Sequence, residues 1–120
     1  RVLRAGCWLV LTTPNIVSAH ALDGLLTGHA PYHFSQYYRD GAQDLRHNRE
    51  YTAGEVAELL RLAGFDATVT TEDVWWRPDP AILDLLRARG WPDTLRGDDI
   101  VAVGIKRTAP VERYPSSLYV

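Results

Sequence analysis

A chain of 120 residues, 46% of them hydrophobic and four of them Trp, is enough for one domain with one core. Its net charge of -2 gives no basic footprint for nucleic acid or for an anionic membrane surface, and no run approaches the roughly 20 apolar residues of a membrane span. The single cysteine, Cys7, has no partner for an internal disulfide and fits a reducing, cytoplasmic compartment.

The opening RVLRAGCWLVL imitates a signal peptide, but Pro14 and Asn15 follow at once and no small-residue cleavage site appears. With no Met at position 1 or anywhere else, the sequence is expected to begin inside a longer protein. Trp8, Leu9, Val10 and Leu11 are apolar on consecutive positions. That pattern predicts a strand from Trp8 to Thr13 buried on both faces, with Cys7 an inert small apolar residue at its start. Pro14 stops the strand and Asn15 reads as the cap of a following helix, with Ile16, Ala19, Leu22 and Leu26 as its stripe and Gly28 as its end. Gly24 interrupts that stripe.

The stretch HAPYHFSQYY, His29 to Tyr38, is dense in aromatics and opens a long loop over residues 29–50, and loops of that length tend to carry function. The alternative is that its rings pack onto the body. His29 and His33 lack a third ligand at a recognised spacing, so no metal site is expected. Arg49 and Glu50 read as a solvated or ion-paired turn. Thr52 and Glu55 then form a capping box, with Tyr51 and Val56 as a hydrophobic staple, and Val56, Leu59, Leu60 and Ala63 make one apolar stripe ending at Gly64. A strand is predicted from Asp66 to Val74. A third helix runs from the cap Asp79 and Pro80, through Ile82, Leu85 and Leu86, to Gly90, with Trp75, Trp76 and Trp91 packed beneath it. Asp99 to Arg107 is a near-continuous apolar run and reads as a buried strand. Residues 108–120, with Pro110 and Pro115, read as a loose tail.

The phrase RVLRAGCWLVLTTPN, followed at a distance by HNREYTAGEVAELLRLAGF and a strand pair, resembles the C-terminal half of a class I S-adenosylmethionine-dependent methyltransferase of the small-molecule type. The resemblance spans residues 1–107, with Gly6-Cys7 where that family has Gly-Gly. It implies a Rossmann-like α/β sheet in the order 3-2-1-4-5-7-6, of which this chain supplies strands 5, 7 and 6, with strand 7 antiparallel. The glycine-rich cofactor turn and the acidic residue after the second strand would lie ahead of Arg1. S-adenosylmethionine would accordingly be held mainly by the missing N-terminal half, and the chain alone would be inactive. Strand 8–13 would then be a bare apolar edge through which the isolated chain self-associates.

The resemblance also places candidate residues. Thr13 and Asn15, at the end of strand five, would orient a small-molecule acceptor. Residues 29–50 would form a lid bearing Tyr32, His33, Phe34 and Tyr37, and residues 79–90 a helical insertion. His47 would accept a proton from the acceptor as the methyl group transfers, its ordinary pKa near 6.5 suiting work close to neutral pH; the bland reading is a loop histidine bonded to backbone. Two other functions stand beside methyl transfer. One is a non-catalytic interaction domain derived from the same fold. The other, a winged helix-turn-helix, is disfavoured because the strand-like Phe65-Asp66-Ala67-Thr68-Val69-Thr70 follows where a basic recognition helix belongs.

Overall fold

The computed structural model describes residues 3–31, 49–112 and 115–118. Within them the chain builds β1 (Trp8–Pro14), α1 (Ala19–Leu26), α2 (Ala53–Leu62), β2 (Phe65–Glu72), α3 (Pro80–Ala88) and β3 (Asp99–Lys106), with a single 3-10 turn at Asp93–Leu95. The last strand in sequence is the middle strand in space. β3 lies between β1 and β2 and runs antiparallel to both, Trp8 standing opposite Ile105 and Asp66 opposite the same residue on the other side. The three-stranded antiparallel sheet and its helices make a small α/β domain.

Helix α2 is made by local chemistry. The Thr52 hydroxyl accepts the Glu55 N–H at 3.2 Å while the Glu55 carboxylate accepts the Thr52 N–H at 2.8 Å, so two of the orphan donors at the helix start are satisfied reciprocally. Burial would push the Glu55 carboxyl up, but the Thr52 N–H and the Arg49 guanidinium outweigh it and hold the group below its ordinary value. Gly64 ends the helix at φ +83°. The inner face carries Ala53, Val56 and Leu60 onto Ile100 and Ala102 of β3, flanked by Leu9, Leu11, Phe65, Ala67, Val69 and the staple residue Tyr51. This is the main core.

A smaller core joins α1 to α3 through Ala19, Ile82 and Leu86, with Leu22 and Leu83 packed against it. Asp79 caps α3 by accepting the Ala81 N–H at 2.8 Å, and Pro80 occupies its first turn. The cap of α1 is Ser18, whose hydroxyl accepts the Ala21 N–H at 3.1 Å, and not Asn15 as expected from sequence. Leu26, expected on the core face of α1, is exposed.

Three further expectations are corrected. Among the described residues β1 is covered on the α2 side alone: Leu9, Leu11 and Thr13 face the core, whereas Trp8 and Val10 are 65% and 68% exposed. With Val101, Val103 and Ile105 of β3 in the same rows, they make an open, largely apolar sheet face. Cys7 is exposed, not buried. The tail also folds back: Val111 N–H donates to the Leu62 carbonyl at 2.8 Å, Pro115 is fully buried, and the Leu118 carbonyl accepts from Arg49 at 2.8 Å. Arg49 thereby joins the tail to α2, since it also pairs with Glu55 at 2.7 Å, and the adjacent Glu50 is buried. Among the described residues no helix is long and apolar enough to cross a membrane.

Candidate functional site

At the carboxyl end of β1 the chain is gathered into a polar knot by residues 94–98. Asn15, wholly buried, donates both amide hydrogens, to the Leu95 carbonyl at 3.1 Å and the Gly97 carbonyl at 2.8 Å, and its side-chain oxygen accepts the Val17 N–H at 3.3 Å. Its own N–H donates to the Asp98 carbonyl at 2.9 Å, and the Ala19 N–H, at the start of α1, donates to the Arg96 carbonyl at 2.9 Å. On the β2 side, the Thr71 hydroxyl accepts the Gly97 N–H at 2.8 Å and donates to the Thr94 carbonyl at 2.9 Å. Backbone groups that would otherwise be orphaned where three elements end are thus paired within a few residues of one another.

Asp98 and Arg96 complete the knot. The buried Asp98 carboxylate accepts three consecutive backbone N–H groups, from Val74 at 2.8 Å, Trp75 at 2.9 Å and Trp76 at 2.7 Å. This turns the segment after β2 toward α1, where the Trp76 ring stacks flat on His20 with centroids 4.3 Å apart. Trp75 points outward and is exposed. Arg96, also buried, faces the Asp93 carboxylate and donates to the Leu83 carbonyl of α3 at 3.3 Å.

Asp73 stands beside these charges. Burial, and then repulsion from Asp98 and Glu72, raise its pKa, with Arg96 opposing. An acid whose folded pKa is raised weakens the fold above that pKa and ceases to do so once protonated. Asp73→Asn should therefore melt higher than the parent at pH 7, and the advantage should fade as the pH falls toward 3.8, the ordinary value. Thermal melts of the two proteins across that range check this, and an equal or lower melting temperature at pH 7 refutes it.

Past the knot, directly after β1, Ile16 and Val17 border a crevice of two adjoining cavities. The larger, about 410 Å³, lies between α1 and α3, with Leu22 and Leu25 on one side, Leu85 and Leu86 on the other, and Arg89 and Trp91 beside them. The smaller, about 220 Å³, shares Val17 and Trp91 and reaches Leu95 and the first turn of α2 at Thr52, Ala53 and Gly54. In open α/β sheets ligands sit in crevices outside the carboxyl ends of strands, and small-molecule sites run from roughly 300 to 1,000 Å³. The larger cavity falls in that size range, and Ile16 and Val17 on its border follow the carboxyl end of β1.

Of the residues expected to form a site, Thr13 faces the covered side of the sheet, opposite Ile100, and Asn15 has no amide hydrogen left to offer a ligand. Neither lines the crevice. Tyr32, His33, Phe34, Tyr37 and His47, and with them most of the lid-like loop, lie outside the described residues. His29 is exposed, its Nδ1 3.2 Å from the Thr27 hydroxyl. Sequence reasoning missed Val17 as a lining residue, and it assigned Leu22, Leu85 and Trp91 to packing when they also border open volume. Comparison of the chain with protein-family models, with curated proteins and with solved structures gave no match.

Proposed function

We propose that this chain is the acceptor-side part of an S-adenosylmethionine-dependent methyltransferase acting on a small molecule in the cytoplasm, with the crevice after β1 holding the acceptor. The observation that carries the reading is the sheet order β1-β3-β2 with β3 antiparallel to both neighbours, together with a ligand-sized crevice at the carboxyl end of β1. The free side of β1 supports it as well. Among the described residues that side is met only past the strand's end, where the Ile16 N–H donates to the Tyr51 carbonyl at 3.1 Å. On this reading a further strand of the same sheet pairs along that edge, and a second copy of the chain would use the same edge.

The cofactor does not fit the residues described. Among the described residues the glycines at positive φ are Gly6, Gly28, Gly64 and Gly90; the last three close helices, and Gly6 precedes β1. None forms a strand-to-helix turn that would let backbone approach a nucleotide. S-adenosylmethionine would be seated elsewhere in the complete enzyme, and no step through it is derived from this chain. What the crevice contributes is an apolar enclosure that orients the acceptor and keeps water from it, while the proton acceptor is assigned to His47 on sequence alone.

Isothermal titration of S-adenosylmethionine into the 120-residue chain is expected to show no binding at micromolar concentrations, and the product of the whole reading frame is expected to bind it. Micromolar affinity in the chain alone overturns the reading, as does a reading frame that encodes no glycine-rich strand-to-helix turn ahead of Arg1. The exposed Trp8 and Val10 beside a free strand edge favour a second reading, a non-catalytic interaction domain. It predicts that the whole product binds no cofactor either.

A further inference from the structure

We propose that the cavity between α1 and α3 binds a monoanionic amphiphile of the medium-chain carboxylate class, its apolar body between the two helices and its carboxylate at Arg89. The walls are Leu22 and Leu25 facing Leu85 and Leu86, so an aliphatic or single-ring body is matched along its length by apolar surface. Leu25 and Leu85 are exposed although both line this volume, which marks apolar area that a ligand would remove from water.

Charge selects the head group. Arg89 is the one ionisable side chain among the residues lining either cavity, and no acid lines them. The neighbouring arginines are already engaged: Arg87 pairs with Asp84 at 3.0 Å and lies 3.7 Å from Asp93, and Arg96 faces Asp93. Among the described residues Arg89 has no carboxylate partner. A guanidinium offers a planar fork of donors that fits a carboxylate with two parallel hydrogen bonds, and a neutral ligand leaves that fork unused. Where the methyl-transfer reading holds, this ligand is the acceptor, and to that extent the inference rests on it. What the cavity binds can be read without cofactor, so a failure of methyl transfer and a failure of this proposal are told apart.

The test is calorimetric titration of decanoate into the 120-residue chain with no S-adenosylmethionine present, with decanol in parallel. Decanoate should bind saturably at one site and decanol about 5- to 10-fold more weakly. Arg89→Gln should bring decanoate down to the level of decanol and leave decanol unchanged. Leu85→Trp, which fills the cavity from an exposed position, should abolish binding of both while its melting temperature stays within about 2 °C of the parent. Absence of saturable binding to the parent overturns the proposal, as does equal affinity for decanoate and decanol or an Arg89→Gln variant that binds decanoate like the parent. Undiminished binding to Leu85→Trp would place the ligand elsewhere, on the open sheet face for example, and is equally fatal.

Discussion

Replacing Gly97 by Ala is expected to cost the fold about 3 kcal/mol or more. A Cβ at that position would lie 2.5 Å from both the carbonyl carbon and the nitrogen of Glu72 and 2.6 Å from its oxygen. All three are backbone atoms at the end of β2, so no rotamer change relieves the clash. The strand end must move, and with it the Thr71 hydroxyl that accepts the Gly97 N–H. Gly6→Ala is the matched control: its φ is +87°, but nothing lies within 4 Å of the added carbon. It should cost only the left-handed backbone penalty, about 1 to 2 kcal/mol. Urea denaturation followed by circular dichroism measures both, and the expectation fails if Gly97→Ala is the milder of the two.

Asp98→Ala should be comparably damaging by a different route. Three N–H groups in succession lose their acceptor, and each orphaned donor costs roughly 1 to 3 kcal/mol where water cannot replace the partner. Val74 and Trp75 are exposed, so water recovers part of that, and a net loss of about 3 kcal/mol is expected. That is a large share of the roughly 5 to 15 kcal/mol that holds a domain of this kind together. Because the carboxylate turns the 74–76 segment toward α1, the variant should also release Trp76 from His20, seen as a change in tryptophan fluorescence before global unfolding. A loss below about 1 kcal/mol would show that the segment is held by other contacts.

Neither residue stands out in the sequence, and the reason is physical. Elements announce themselves when their determinants are local. Thr52, Glu55 and Gly64 act within a turn or two of one another, and α2 formed where they predicted. Asp79 with Pro80 did the same for α3. The Asp98 carboxylate acts on backbone 22 to 24 residues away, and backbone N–H groups carry no residue identity for a reader to match. Asn15 was read as a cap because capping is what Asn does locally, yet its amide reaches residues 80 and 82 positions further on. The open face of β1 was misread for a related reason. An apolar run records that both faces meet apolar surroundings, not whether those surroundings are supplied by this chain, and no element of the described residues covers Trp8 and Val10. The crevice was equally hidden, since Val17, Leu22, Leu85 and Trp91 come from separate segments and only the packing of α1 against α3 leaves volume between them.

The central place of the last strand sets the timetable of assembly. β1 and β2 do not touch in the sheet; each is hydrogen-bonded to β3, and Trp8 finds Ile105 only after all the residues between them have been made. At a synthesis rate of roughly 5 to 20 residues per second, β1 leaves the ribosome about 5 to 20 s before its partner exists. During that interval α2, with its self-contained cap, can form, but the apolar Trp8 to Leu11 run has nothing of its own to pair with and depends on chaperones or on an earlier strand of the same polypeptide. A nascent chain arrested before Asp99 would thus carry β1 and β2, among its described residues, without the strand that joins them, and its β1 would be open to proteolysis.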